Sequence, residues 1–144
     1  MIKKVIEVQH NVISDDRVEL SWYDMQKPNL SAVTQNDKEF IIKIKFTHLH
    51  EKDVLVCEDG YKIEVLKDKD EIYEITFEES LMFAKYAYEI GNRHQPICIE
   101  TQKITILDDI SLSDIIVALK TENGVHVKKT RGYFQPNGKA HHSH

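Results

Sequence analysis

An imidazole placed just beyond a predicted helix is the first feature of this sequence that could do chemistry. Residues 88–96 read Tyr-Glu-Ile-Gly-Asn-Arg-His-Gln-Pro, so residues that stop a helix are followed by a cation, by His94 and by a proline. This order predicts a sharp, stiff connection that exposes His94 past the helix end. A neutral imidazole suits nickel, copper and zinc, whereas a lone histidine is more often a structural or surface residue. His94 is therefore a candidate metal ligand.

Three more imidazoles lie together at the end of the sequence. His141, His142 and His144 occupy three of the last four positions. Several imidazoles on one flexible segment can approach a shared ion without a preformed cage. An expression tag is the alternative, but three histidines interrupted by Ser143 would be an unusual tag, so we favour a native metal-binding tail. Neither the loop nor the tail has four ligands at a fixed spacing, which predicts an open, exchangeable site rather than a closed structural zinc site.

The remaining histidines have simpler interpretations. His48 and His50 form a His-x-His pair that could chelate an ion from one face of a strand, but residues 51–53, Glu-Lys-Asp, favour a solvated turn. His126 should lie on the polar face of the last strand and is not predicted to bind metal. His10 has no evident partner in the sequence.

The composition is that of a folded protein. Of 144 residues, 41% are hydrophobic and 30% charged, and 19 basic against 24 acidic side chains give a net charge of −5. The acidic balance argues against a nucleic-acid partner, and the longest aliphatic run, residues 115–119, is too short to span a membrane. Cys57 and Cys98 are predicted to be unpaired. Because polar residues interrupt any signal-peptide core, we expect a cytoplasmic protein without membrane partners.

The elements that must position these histidines change character near residue 70. Over residues 1–70 the apolar residues alternate, as in half-buried strands; Val18, Leu20 and Trp22 alternate in one candidate strand. Residues 40–46 alternate in another, and residues 58–60, Glu-Asp-Gly, predict a turn between two more strands. A charged stretch, residues 67–71, marks the expected domain boundary. The first half is therefore predicted to be an all-β domain.

The second half is predicted to be an α+β domain. Thr76 and Glu79 can form a capping box for a first helix, on which Leu81, Ala84, Ala87 and Tyr88 share a face, and Gly91-Asn92 would stop it. Residues 111–114 supply a second capping signal, and Leu112, Ile115, Ile116 and Leu119 are spaced for the apolar face of a second helix. The resulting order over residues 71–134 is β-α-β-β-α-β, which is ferredoxin-like, and residues 135–144 form a flexible tail.

The sequence also resembles a known protein family. Gly91-Asn92-Arg93-His94, after an aromatic-bearing helix and before Pro96, is similar to the signature loop of the UreE urease accessory proteins, the nickel metallochaperones of urease maturation. Residues 52–55, Lys-Asp-Val-Leu, resemble the family's Gly-Asp-Val-Leu turn. The β-rich first half, the ferredoxin-like second half and the histidine-bearing end are similar too, so the resemblance covers essentially the whole chain.

The resemblance implies a peptide-binding-like first domain, a metal-binding second domain and a homodimer in which the two copies of His94 face each other. His141, His142 or His144 would complete the shell around Ni²⁺, for which Zn²⁺ and Cu²⁺ would compete. The implied partners are a urease accessory GTPase and the urease maturation complex. Residues 106–110 lack the extra histidines of some members, which leaves Asp108 or Asp109 as weak oxygen ligands there.

Two other functions fit the sequence less well. A metal-dependent hydrolase could use His94 with Asp108, but it would need three convergent ligands and a poised water, and the sequence has no His-Glu-x-x-His pair. A peptide-binding module without a role in metal delivery would use the first domain alone. We therefore expect a chaperone that makes and breaks no covalent bonds.

Overall fold

A computed structural model describes residues 1–43 and 48–138 of the chain. The chain divides into two units, Met1–Lys69 and Asp70–His144. No helix within the described residues is long and apolar enough to cross a membrane.

The first unit is rich in strands. Its described residues form six strands and one short helix: β1 (Lys3–Gln9), β2 (Asp16–Leu20), α1 (Trp22–Met25), β3 (Leu30–Val33), β4 (Glu39–Ile42), β5 (Val54–Cys57) and β6 (Lys62–Lys67). The strands lie in the order β2-β6-β5-β1-β4-β3. The pairs β1–β4 and β2–β6 are parallel, and the other neighbouring pairs are antiparallel. Burial alternates along β2, as expected for a strand with one face on the core.

Two local features of the first unit test the sequence patterns. Gly60 lies between β5 and β6 with φ +86°, a conformation that glycine adopts without steric cost, so the predicted turn is confirmed. Trp22, in contrast, begins α1 and does not extend β2. Ser21 caps α1 by accepting a hydrogen bond from the Asp24 amide (3.1 Å), and this local cap takes the chain out of the strand. The predicted strand positions Ile44 and Phe46 lie outside the described residues.

The second unit combines strands and helices. Its elements are β7 (Asp70–Phe77), α2 (Ser80–Asn92), β8 (Ile97–Glu100), β9 (Lys103–Leu107), a 3₁₀ turn (Ile110–Leu112), α3 (Ser113–Thr121) and β10 (Val125–Gly132). All neighbouring strands pair antiparallel, in the order β10-β7-β9-β8. The chain therefore has a strand-rich first domain and an α/β second domain.

The core of the second unit lies between the helices and the sheet. The predicted apolar positions of α3 and the turn before it are all buried, as are Tyr86 and Ile90 of α2. Burial, with a hydrogen bond from the Tyr86 hydroxyl to Glu122 (2.7 Å), raises the pKa of Tyr86 to about 12. Both helices are thus held against the sheet before α2 reaches its exposed end.

Both predicted helix caps differ from those observed. Thr76 is a residue of β7, paired with Lys103 and with His126, so its backbone is extended and the predicted capping box is wrong. The second cap lies earlier than predicted, because the Asp109 carboxylate accepts the Ser111 amide hydrogen (2.9 Å) at the start of the 3₁₀ turn. In the first case sheet pairing overrides a local capping signal.

The chain after β10 returns to the outer edge of β8. The side chain of Asn137 accepts a hydrogen bond from the Ile99 amide (2.7 Å) and donates one to the Ile99 carbonyl (2.8 Å). The amide of Gly138 donates to the Ile97 carbonyl (2.9 Å), and a Cβ on Gly138 would lie 2.8 Å from the Ile97 side chain. A residue with a side chain at this position would force Ile97 to shift, whereas glycine fits without a shift. We call this contact of Asn137 and Gly138 with β8 the edge clamp.

Candidate metal-binding site

His94 lies one residue beyond the C-terminal cap of α2. The helix ends at Asn92, Arg93 is the cap, and the His94 amide donates to the Gly91 carbonyl (3.1 Å). The predicted stop is therefore confirmed in place. The residue with the left-handed conformation, however, is His94 itself, with φ 56°, whereas Gly91 remains helical.

His94 is one of five non-glycine residues with a left-handed backbone within residues 1–43 and 48–138, and it is the one at the end of α2. A helix commonly ends with a left-handed residue at this position, and that residue is usually glycine or asparagine. A side chain in this region costs about 1–2 kcal/mol, and such strain is concentrated at functional sites. The side chain is exposed. An exposed imidazole thus occupies a position at which glycine would be the less strained choice.

A two-pronged ion pair holds this loop to the start of α3. Arg93 donates from Nη1 to Asp114 Oδ1 (3.0 Å), from Nη2 to Asp114 Oδ2 (2.6 Å) and again from Nη1 to the Ser111 carbonyl (2.8 Å). Arg93 therefore has a structural role in the loop. The hydrogen bonds from Arg93 lower the pKa of the Asp114 carboxyl, and those to Asp114 raise the pKa of Arg93. A bidentate pair fixes direction as well as distance, so it orients the residue before His94.

The helix that leads to His94 carries an exposed apolar stripe. Leu81 is 83% exposed and Tyr88 71% exposed, and Ala84 lies exposed between them. These three residues, spaced i, i+3 and i+7, are called the outer face of α2. Ile110, next to the Ser111 carbonyl that binds Arg93, is 90% exposed. Apolar side chains presented in such a row are typical of a surface that contacts another protein.

The carboxylates expected near the loop have other contacts. Asp108 lies 3.2 Å from the Lys129 ammonium, and Asp109 caps the 3₁₀ turn, where the hydrogen bond from Ser111 lowers its pKa. Across residues 1–43 and 48–138, no three histidine, cysteine or acidic side chains are gathered to hold an ion. The predicted tail ligands His141, His142 and His144 lie outside the described residues.

A second group of imidazoles lies in the first unit, and sequence reasoning missed how it is assembled. His10 Nδ1 is 3.0 Å from Asp53 Oδ1, and His50 Nδ1 is 3.8 Å from Asp53 Oδ2. The expectation that His10 lacks a partner is therefore wrong. The partner is 43 positions away in the sequence, and it meets His10 only because β1 and β5 pair, with Gln9 opposite Val54. Lys52, in the same turn, has φ 74° at the position of the family's glycine.

His126 is exposed and both cysteines are unpaired, as predicted. His126 is exposed on β10 and lies 3.0 Å from one carboxylate oxygen of Glu78. Cys57 is buried and Cys98 half-buried, and both are free thiols whose pKa is raised by burial. Neither thiol is thereby prepared to ligate a metal, since the ligand form of cysteine is the thiolate.

The fold and the exposed loop define a class of small two-domain protein. Its first domain is rich in strands, and its second, α/β domain carries the exposed His94 just after the end of a helix. Both domains match known families. Residues 2–66 match the N-terminal domain of the UreE urease accessory protein, and residues 70–144 match its C-terminal domain. The chain belongs to the UreE family of urease accessory proteins.

Individual relatives agree with the family models. The chain is 58% identical over 144 residues to the urease accessory protein UreE of Aliarcobacter butzleri, covering 100% of this chain and 97% of the relative. It is 30% identical to the UreE of Ruegeria pomeroyi, covering 89% of this chain and 82% of the relative. For the UreE of Lysinibacillus sphaericus the identity is 27%, over 96% of this chain and 92% of the relative.

Proposed function

We propose that this protein is a cytoplasmic homodimeric nickel metallochaperone, which holds Ni²⁺ between the His94 imidazoles of two chains and delivers it for assembly of the urease active site. The observation that carries the proposal is the exposed imidazole of His94 in a strained backbone conformation at the end of α2. In this role the protein makes and breaks no covalent bond, and the nickel ion is the cargo that it carries. The second domain that presents His94 is proposed to be ferredoxin-like, from its β-α-β-β-α-β order.

Twofold pairing supplies what one chain lacks. A lone imidazole is a poor site, and within the described residues one chain gathers no group of three ligands. A twofold axis next to the loop would bring the same residue from each chain to one ion. The chemistry fits, because imidazole nitrogen is a preferred donor for Ni²⁺. The remaining positions would be filled by His141, His142 or His144, or by water, so that the ion stays exchangeable.

The outer face of α2 supports this arrangement. Leu81, Ala84 and Tyr88 lie on the same helix that ends at the metal loop. Burying them against the same face of a second chain would remove apolar area from water at about 25 cal/mol per Å². We propose that this contact forms the dimer and sets the distance between the two loops.

Release of the ion requires a competitor. The tail imidazoles can hold Ni²⁺ and let it go as they move, and we propose that a urease accessory GTPase and the urease maturation complex supply the accepting ligands. Copper should bind the same nitrogen donors at least as tightly and zinc should compete. Selectivity for nickel would therefore come from metal supply and from the partners rather than from the donor atoms.

Metal titration of matched variants tests the proposal. The full chain is titrated with Ni²⁺ beside His94→Ala, a chain ending at Ala140, and His126→Ala as the control that removes an exposed imidazole elsewhere. We expect about one tight ion per two chains in the parent. The tight site should be lost in His94→Ala, weakened in the shortened chain and unchanged in His126→Ala. Parent-like binding by His94→Ala would contradict the proposal, as would a site that depends on the tail alone.

A further inference from the structure

We infer that the first unit carries a second site for a divalent transition-metal ion, formed by the imidazoles of His10, His48 and His50 and oriented by the buried carboxylate of Asp53. This site is separate from the loop at His94 and does not depend on the function proposed above. Its ligand class is that of imidazole-binding ions, namely Cu²⁺, Ni²⁺ and Zn²⁺.

The strand register brings the residues together. His10 follows Gln9 at the end of β1, and Gln9 pairs with Val54, the first residue of β5. Asp53 immediately precedes β5, so antiparallel pairing places it beside His10. The distance of 3.0 Å between His10 Nδ1 and Asp53 Oδ1 follows from this register. The contact between His10 and Asp53 therefore depends on the pairing of β1 with β5.

The buried carboxylate of Asp53 lies beside both rings, where it can orient them as carboxylates do in metal sites. Its side chain is only 6% exposed, whereas those of His10 and His50 are 69% and 74% exposed, and each ring turns Nδ1 toward a different oxygen of the carboxylate. At 3.0 Å the His10 Nδ1 lies within hydrogen-bonding distance of Asp53, and a proton held on that nitrogen leaves Nε2 with a free electron pair, whereas the His50 Nδ1, at 3.8 Å, must approach Asp53 further to do the same. Histidines that bind metals commonly give their other ring N–H to a carboxylate in this manner, which fixes tautomer and direction.

The backbone between the two nearby histidines is fixed. Leu49 is buried in the core of the first unit and its amide donates to the Met25 carbonyl (3.3 Å). Asp53 Oδ2 accepts the amide hydrogen of His50 (2.8 Å), which closes the turn. His48 and His50 thus project from either side of an anchored residue into solvent.

The spacing of the rings suits a shared ion after a small rotation. The ring centroids of His48 and His50 are 6.3 Å apart, at an interplanar angle of 81°. Two imidazoles on one ion, each with a nitrogen at about 2.0–2.1 Å, place their centroids roughly 5–6 Å apart. Three gathered ligands are not preformed in the described part of the chain, so binding must turn the exposed rings of His48 and His50 about their side-chain bonds. This predicts weaker binding than in a rigid cage.

Local nuclear magnetic resonance signals test the site in the full chain. Cu²⁺ is the probe, because it binds nitrogen donors most tightly in the divalent series and broadens nearby signals. We expect saturable broadening of the Leu49 and Asp53 amide signals in the parent. His10→Ala and His50→Ala should each abolish the saturable broadening of these two signals. Asp53→Asn should lower the affinity of the site for Cu²⁺ by about 10- to 100-fold. His126→Ala is the matched control, since His126 also lies 3.0 Å from a carboxylate oxygen, and it should leave the broadening unchanged.

The same spectra separate this site from the loop. The alanine substitutions replace exposed side chains, so unchanged amide positions elsewhere will show that the variants are folded. Broadening near His94 reports the site of the proposed function and should persist in His10→Ala and His50→Ala. The inference is overturned if the Leu49 and Asp53 signals stay sharp in the parent, or if both variants broaden there like the parent.

Discussion

His94 combines an exposed donor atom with a backbone conformation that disfavours its own side chain. The left-handed φ of 56° follows from the way α2 ends, with Arg93 as the cap and the His94 amide bound to Gly91. Any L-residue with a Cβ is strained in this region, and glycine is not. At this one residue, ligand chemistry and local stability therefore favour different amino acids.

Substituting His94 separates these two effects. Neither His94→Gly nor His94→Ala has an imidazole, so both should lose the tight Ni²⁺ site. Because glycine accepts the left-handed conformation, His94→Gly should be more stable than His94→Ala by about 1 kcal/mol. Urea denaturation of the metal-free proteins measures the difference. Equal stability of the two variants would show that the loop relaxes out of this conformation.

The elements around the loop are joined by the Arg93–Asp114 pair, which links the end of α2 to the first turn of α3. The Asp114 side chain is 66% exposed and that of Arg93 is 39% exposed, so water screens the pair and the pair itself adds little stability. The pair instead orients the loop, because the bidentate geometry and the hydrogen bond to the Ser111 carbonyl keep the loop in one position relative to α3.

Asp114→Asn tests this connection, and its pH dependence has a definite sign. Because Arg93 lowers the pKa of folded Asp114, the carboxylate adds stability above its unfolded pKa of about 3.9 and loses it as the pH falls through the folded value. The parent should therefore melt slightly above Asp114→Asn at pH 5.5 and 7.5, and this small difference should vanish in strong acid. A difference that grows in strong acid would contradict the assignment.

The same variant separates loop position from ligand protonation. Asp114→Asn should bind Ni²⁺ a few-fold more weakly at every pH. Its loss of affinity between pH 7.5 and 5.5 should match that of the parent, since imidazoles take up protons near pH 6.5 in general. Calorimetry at the two pH values measures both effects. If Asp114→Asn removed the pH dependence, the carboxylate and not an imidazole would control binding.

The sequence predicts those elements whose signals are local. The turn at Gly60 and the buried face of α3 depend on neighbouring residues, and both are confirmed. The capping box at Thr76 fails because pairing with Lys103 and His126 extends the backbone. The contact of His10 with Asp53 depends on the register of distant strands, which no local pattern contains. The identity of the loop histidine was predictable, but its conformation was not, since Gly91 and Asn92 were the expected left-handed residues.

At the scale of the whole molecule, the outer face of α2 is proposed to bring two chains together. The face is apolar and exposed in the single chain, and it continues toward the loop that carries His94. Dimer formation and tight metal binding should therefore be coupled, since the ion needs one imidazole from each chain. Metal should in turn stabilise the dimer by mass action.

Tyr88→Glu tests the coupling. A carboxylate on the outer face of α2 would have to be desolvated or brought close to its own copy across the twofold axis, and both are unfavourable. Sedimentation of the metal-free protein should show monomers, and Ni²⁺ titration should show loss of the tight site. Ile13→Glu, at a position that is 91% exposed in the first unit, is the control and should stay dimeric. A dimeric Tyr88→Glu that binds nickel tightly would place the interface elsewhere.

The edge clamp has a consequence for the behaviour of the protein in solution. An uncovered outer strand offers its free amides and carbonyls to any other chain and so promotes aggregation. Asn137 occupies both hydrogen-bonding groups of Ile99, and Gly138 lies against Ile97, so the border strand is shielded by its own polypeptide. Chains shortened to remove the terminal histidines should stay in solution without aggregating when they end after Gly138. They should precipitate when the chain is cut before Asn137.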